Sequence, residues 1–415
     1  MSITARIKQV AHDWGGSTAI FFAYTHASHD LCPALLVPLL PFIKESMGLN
    51  YLQAALLLSA YSITAGISQL PGGWLGDHFS KRAVLTFALA SVGLTCMVIG
   101  LVSSYVLLLA LLVVWGMFAG IYHPSVVPVL SNHFEVKRRG KVIGLHMVGG
   151  SAGYSLAPIF GGLIAGWLMW PSAFLILGVP ALVAAVLLLR NVGIRESLRP
   201  RKYQPAGGAS VKKLSLWQVL RPIALLFTVV ILIHFVASLA IAFLPVYLVD
   251  KHHLEPTHAA VLTGMLRFGG VVGSLFGGWL SDRWGRNRAV LLGLTLTGPM
   301  LYLLTALPFN SLLIVVMAFS GIIMFMRQST FQPFLMDSTP AYLRATVFGI
   351  YFGLGMEGAS ILQPAAGQLM DVFGLNTIYN MIAYSGLALS AVTLLLSRVL
   401  SRTIASAGAS DTLLG

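Results

Sequence analysis

The 415-residue chain is a succession of long apolar runs separated by short polar breaks. A bilayer core about 30 Å thick is crossed by a helix of roughly 20 apolar residues. Twelve runs qualify, at about 18–43, 51–75, 83–102, 104–132, 142–168, 171–190, 221–249, 258–281, 289–307, 311–337, 343–370 and 377–398. The breaks around Ser103 and Trp170 are short enough to predict antiparallel neighbours. The expected fold is an all-α membrane protein of twelve transmembrane helices in two pseudo-symmetric six-helix bundles, since a helix satisfies its own backbone where lipid offers no partner. One long polar segment, 191–220, is basic and contains Pro and Gly. It predicts a cytoplasmic linker between bundles at 1–190 and 221–400, with 401–415 as a cytoplasmic tail. Its last part, Val211 to Leu220, predicts an amphipathic helix on the membrane surface.

Composition narrows the class further. Charged residues make up 9% of the chain and hydrophobic ones 57%, whereas ordinary soluble domains are about a quarter charged. The formal net charge of +13 does not predict nucleic-acid binding, because the basic residues sit in short segments between apolar runs. Most of them fall on one side if the N-terminus is cytoplasmic, and the positive-inside tendency then places both termini in the cytoplasm. Lys44 and Lys251 fall outside, and Arg267 and Arg327 lie within predicted helices. Cys32 and Cys96 both lie in apolar runs, against a disulfide framework or a zinc site. No cleavable signal, metal-ligand spacing, nucleophile elbow or phosphate-cradling loop is seen. A non-enzymatic protein without metal or cofactor is expected.

Two segments repeat. GGWLGDHFSKR (Gly72–Arg82) follows the second run and GGWLSDRWGRNR (Gly277–Arg288) follows the eighth, which predicts a duplicated six-helix unit. These residues resemble the loop signature of the major facilitator superfamily, roughly G-x-x-x-D-R-x-G-R-R. The second copy fits through Asp282, Arg283, Gly285, Arg286 and Arg288; the first has His78 for Arg and Ser80 for Gly. The resemblance implies gating residues Gly73, Asp77, Arg82, Asp282, Arg283 and Arg286, a charge latch that closes in one conformation. Positive-inside anchoring is the alternative reading, but it needs neither the Asp nor the glycines. In the fifth helix, Gly144, Gly153, Ala157-Pro158 and Gly161-Gly162 resemble the G-x8-G-x3-G-P-x2-G-G motif of proton antiporters in that superfamily, with Ala157 departing from it. Close helix packing by small residues is its alternative. THASHD (Thr25–Asp30), YHP (Tyr122–Pro124) and HMVGGSAG (His146–Gly153) resemble the fosmidomycin-resistance-type drug exporters, a likeness confined to the N-terminal half.

Ionisable groups inside lipid-spanning helices are costly, so each is a functional candidate. His26 and Asp30 are one helical turn apart, with His29 between them, and suit a proton-coupling pair; a structural polar pair near Pro33 is the alternative. Glu357 in the eleventh span is either a second proton carrier or a partner for an arginine. Pro124 frees a backbone carbonyl beside His123. An offset of 204 residues sets His123 against Arg327 and Asp30 against His234. Arg327 stays charged and should bind an anion or pair with Glu357 or Asp30. Arg267, His146, Tyr122 and Tyr154 complete the expected substrate site, and Asp337 with Arg344 belongs to a gate. Cations outnumber carboxylates among these residues, which predicts an anionic or zwitterionic solute. The expected protein is a monomeric secondary transporter of the bacterial cytoplasmic (inner) membrane. It exports a small polar solute or drug by proton antiport, with the proton gradient as its energy source; proton symport of an organic anion is the alternative.

Overall fold

The computed structural model describes residues 16–134, 136–190, 215–340, 343–351, 353 and 358–402. All of the described regular structure is helical, in two compact units. The first unit comprises Met1–Lys202 with Leu254–Gly264, the second Tyr203–His253 with Met265–Gly415.

In the first unit α1 (Gly16–Leu31) leads through a 3₁₀ turn, Pro33–Leu35, into α2 (Leu36–Met47). Helices α3 (Tyr51–His78), α4 (Lys81–Ile99), α5 (Tyr105–His133) and α6 (Val136–Leu168) follow, and α7 (Trp170–Leu177) and α8 (Val179–Arg190) close the series. In the second unit a short α9 (Leu216–Leu220) leads into α10 (Ala224–His252). Then come α11 (Pro256–Trp284), whose first turns belong to the first unit, α12 (Arg286–Ala306) and α13 (Ser311–Asp337). The last elements are α14 (Arg344–Ile350), a 3₁₀ turn at Gly358–Leu362, α15 (Gln363–Phe373) and α16 (Leu375–Leu395).

Among the described residues ten helices are long and apolar enough to cross a membrane. The first predicted span is divided between α1 and α2, and the eleventh contains residues outside the described ones. In the first span Pro33 lacks the N–H a regular helix needs, and the chain tightens into the 3₁₀ turn there. Large apolar side chains on the outer surface, such as Leu70, Leu101, Trp167 and Leu395, are more than 70% exposed, as lipid-facing positions should be. Each unit has its own apolar interior. Phe22, Leu85, Leu89, Tyr122, Leu130 and Leu188 meet in the first, and Leu226, Val230, Leu294, Phe331, Phe334 and Tyr351 in the second. The expected surface helix at Val211–Leu220 is described only from residue 215, as α9, capped by reciprocal Ser215–Gln218 hydrogen bonds.

The repeat has an internal logic of contact. A methyl group added at Gly72 would lie 2.7 Å from the Ile121 Cα, and one at Gly277 would lie 2.4 Å from the Ser329 Oγ. The neighbouring Gly73 and Gly278 have no such crowding: the nearest atom to Gly73 would be 3.7 Å away, and nothing lies within 4 Å of Gly278. The close approach of α3 to α5, and of α11 to α13, thus rests on the first glycine of each pair. The loops differ. Gly285, before α12, takes φ +89°, a conformation that favours glycine, whereas Ser80, before α4, has φ −56° and needs none. The departure of the first copy from the loop signature matches its backbone.

Replacing Gly72 or Gly277 by Ala should therefore destabilise the purified protein by about 1–3 kcal/mol, the usual cost of overpacking. Gly73→Ala and Gly278→Ala should leave its thermal unfolding in detergent unchanged.

Candidate functional site

The first unit gathers the histidines around a single carboxylate. Asp30, in the last turn of α1, is 4% exposed. Its Oδ2 lies 3.1 Å from His26 Nε2, one turn earlier, and its Oδ1 lies 2.7 Å from His29 Nδ1. Helix α5 brings His123 Nε2 to within 3.6 Å of the same Oδ1. Both α1 histidines are tied on their far side to main chain. His26 Nδ1 donates to the His146 carbonyl at 2.8 Å, and His29 Nε2 donates to the Ala119 carbonyl at 3.1 Å. The His146 ring stacks on His26 at 4.1 Å and donates through Nδ1 to the Phe22 carbonyl. Thr25 donates to that same carbonyl, so the Tyr122 hydroxyl must donate to Thr25 Oγ1, at 2.7 Å. The Tyr122 ring stacks on His29 with centroids 4.5 Å apart.

Small residues let these helices come together. A methyl group at Gly150 of α6 would sit 2.5 Å from the His26 ring and 2.9 Å from Asp30 Oδ2. One at Gly153 would sit 2.4 Å from the Ala27 carbonyl oxygen, and one at Gly161 would meet Leu35 at 2.5 Å. Gly162 faces Ala260, at the start of α11, at the same distance. Pro158, inside α6, would be 3.2 Å from a methyl at Gly264. Gly144 has nothing within 4 Å. Much of the fifth-helix motif is thus a packing seam against α1 and the first turns of α11, and its neighbour Gly150 bears directly on the histidine–aspartate group.

The second unit pairs the equivalent positions with different chemistry. Arg327 on α13 is 2% exposed and donates from Nη2 to His234 Nδ1 on α10 at 3.2 Å. Since His234 Nδ1 accepts, its Nε2 carries the hydrogen and donates to Ser238 at 3.0 Å. Arg327 Nε is buried without a hydrogen-bond partner, and no carboxylate pairs with this guanidinium among the described residues. The offset that aligns His123 with Arg327 and Asp30 with His234 is realised as contact: 30 meets 123 in one unit, and 234 meets 327 in the other.

Of the remaining expected residues, Arg286 donates to Asp337, joining the second loop signature to the end of α13. Asp337 therefore pairs with Arg286. Arg344 heads α14, and its side chain, like those of Asp282 and the whole of Glu357, lies outside the described residues. Asp77 is exposed, with no ion pair among the described residues, and Arg82 donates to the Leu188 carbonyl at 3.1 Å. Arg283 lies over the Trp279 ring at 5.5 Å, as His78 stacks on Trp74 at 4.6 Å in the first copy. Arg267 and Tyr154 are partly buried on α11 and α6.

Sequence spacing passed over His29 as a partner of Asp30, because adjacent helical residues do not share a face; a short carboxylate with two oxygens reaches both neighbours. No sequence signal marked the Ala119 carbonyl that takes the His29 hydrogen. The donor atoms of His26, Asp30 and His123 lie within 4.8 Å of one another. Both Asp30 oxygens lie within hydrogen-bonding distance of an imidazole nitrogen.

Two pseudo-equivalent helical units, each with rare ionisable groups turned inward, define a membrane carrier. The chain belongs to the Major Facilitator Superfamily, whose family model matches residues 19–364. It is 26% identical over 246 residues to the hexuronate transporter of Bacillus subtilis (strain 168), a match covering 58% of each chain. It is 24% identical to the gallate transporter of Pseudomonas putida over 382 residues, 84% of each chain. Among solved structures it is similar to a bacterial homologue of the human lysosomal transporter Spinster, in an inward-facing and occupied conformation. There the TM-score is 0.77 at 16% identity, covering 95% of this chain and 97% of that one.

Gly150→Ala should press a methyl group onto the His26 ring, break the 3.1 Å contact to Asp30 and lower the thermal stability of the purified protein. Gly144→Ala, in open space, should leave it unaltered.

Proposed function

We propose that this transporter is a proton-coupled antiporter that expels a small anionic solute from the cytoplasm by alternating access. The observation that carries the anionic part is Arg327: a buried guanidinium whose Nε has no hydrogen-bond partner among the described residues and whose neighbour is a neutral histidine. Leaving such a charge uncompensated is costly, and an anionic substrate group offers the compensation. Relatives named for hexuronate and gallate support this substrate class. Proton coupling is assigned to Asp30 with His26, a buried titratable pair one turn apart. The antiport direction rests on the glycine and proline seam of α6 and its likeness to the antiporter motif; the likeness to fosmidomycin-resistance-type exporters adds a phosphonate drug as a candidate cargo. The protein acts as a monomer in the bacterial inner membrane, with both termini cytoplasmic and Arg286–Asp337 serving as a gate contact.

Proton symport of an organic anion into the cell is the second reading. It is favoured by the organic anions for which the hexuronate and gallate relatives are named, since an anion and a proton attract one another within a shared cavity.

Proteoliposomes with an imposed pH gradient separate the two. With gallate, glucuronate and fosmidomycin as probes, an antiporter moves solute against the proton flow and a symporter moves it with the flow. Asp30→Asn should abolish gradient-driven transport and spare counterflow; undiminished gradient-driven transport in that variant would refute the coupling role. Arg327→Gln should weaken binding of the transported anion at least tenfold in a thermal-shift titration, the loss of roughly 1.4 kcal/mol or more expected when a charge-assisted contact is removed.

A further inference from the structure

The hydrogen-bond directions around Asp30 count the protons that the cluster must hold. A carbonyl oxygen only accepts, so the proton between His26 and the His146 carbonyl sits on His26 Nδ1. By the same rule, the proton between His29 and the Ala119 carbonyl sits on His29 Nε2. A neutral imidazole carries a single N–H. With both histidines neutral, the remaining nitrogens, His26 Nε2 and His29 Nδ1, would present bare lone pairs to Asp30. They lie 3.1 Å and 2.7 Å from its two oxygens. If Asp30 were ionised as well, two lone pairs would face two lone pairs in a buried site, where an unmade hydrogen bond is expensive. A single added proton repairs one contact and leaves the other unmade. It does so whether it resides on a histidine or on the carboxyl, because one carboxyl O–H serves only one neighbour.

We propose that Asp30 with His26 and His29 forms a two-proton site, one exchangeable proton residing in each of the two short contacts. The inference deepens the coupling role proposed above and rests on it. It adds His29 as a second proton carrier equal to His26, and gives the main-chain carbonyls of His146 and Ala119 the task of fixing both tautomers. The other groups facing the cluster leave this count unchanged. From α5, His123 Nε2 is 3.6 Å from Asp30, beyond hydrogen-bonding distance, and Tyr122 is committed to Thr25. From α6, His146 spends its Nδ1 hydrogen on the Phe22 carbonyl. The His123 side chain is 44% exposed, against 1–6% for His29, His26 and Asp30, so protons would enter and leave past it.

The count can be read without any transported solute. The full-length protein, labelled with ¹⁵N-histidine and ¹³C-aspartate and reconstituted in lipid bilayers, would be examined by solid-state NMR over a pH series. Signals of residues 26, 29 and 30 would be assigned from His26→Gln, His29→Gln and Asp30→Asn. As the pH is lowered, the number of imidazolium rings at 26 and 29 plus any protonated carboxyl at 30 should reach two. In Asp30→Asn, whose amide offers one donor and one acceptor, the number should fall to one. A sum of one or zero in the wild type overturns the proposal. So does a change of these signals on adding a metal chelator, which would mark the cluster as an ion site. If the histidine variants fail to fold, the Asp30→Asn spectrum with distance-edited wild-type signals makes the same decision. The outcomes separate this inference from the reading beneath it. A single proton with Asp30-dependent gradient-driven transport sinks only the two-proton count, whereas Asp30-independent transport sinks the coupling role whatever the spectra show.

Discussion

A carboxylate held between two imidazoles, each anchored on its far side to a main-chain carbonyl, is the interaction on which the first unit is organised. Asp30 would be hard to bury alone, and so would either histidine. Placed 2.7 Å and 3.1 Å from the two rings, it makes burial tolerable for all three. The arrangement demands that α6 lie close enough to α1 for the His146 carbonyl and ring to reach His26, and that α5 lie close enough for Ala119 to reach His29. The glycines at 149, 150 and 153 serve that demand, since a side chain at any of them would collide with α1. Chemistry and packing are here one constraint: the helices approach where the polar groups need them.

Much of this was legible in the sequence because its physical causes are local or periodic. Span lengths follow from bilayer thickness, and the duplication follows from GGWL recurring at Gly72 and Gly277. Carrying an offset through the chain set position 30 against 234 and 123 against 327 as equivalents; that 30 meets 123 and 234 meets 327 came only from the fold. What escaped had non-local causes. Nothing in the spacing of His29 and Asp30 says that a carboxylate will turn to an adjacent residue, because that depends on which carbonyl of α5 waits on the other side of the ring. Nor does the sequence say which glycine of each pair is the tight one; contact geometry decides for Gly72 and Gly277 over Gly73 and Gly278. The contact of Asp337 with Arg286, the first residue of α12, likewise joins positions 51 residues apart that no local pattern connects.

The break in the first span shows where hydropathy alone is a blunt guide. The first span is apolar enough to cross a bilayer, yet it is built from two helices around a 3₁₀ turn. The interruption at Pro33 follows directly on the turn of α1 that carries His26, His29 and Asp30. Backbone irregularity at such depth is tolerated where protein surrounds it, and Pro33, Ala34 and Leu35 are all buried.

The equivalence of the 30–123 and 234–327 contacts has an evolutionary consequence. Duplication supplied the same meeting point twice, and each copy was then free to acquire its own side chains without disturbing the helical frame. One copy now joins a carboxylate to imidazoles, the other a guanidinium to an imidazole. A six-helix unit copied in tandem thus provides two separate addresses at which unlike side chains can meet within one architecture.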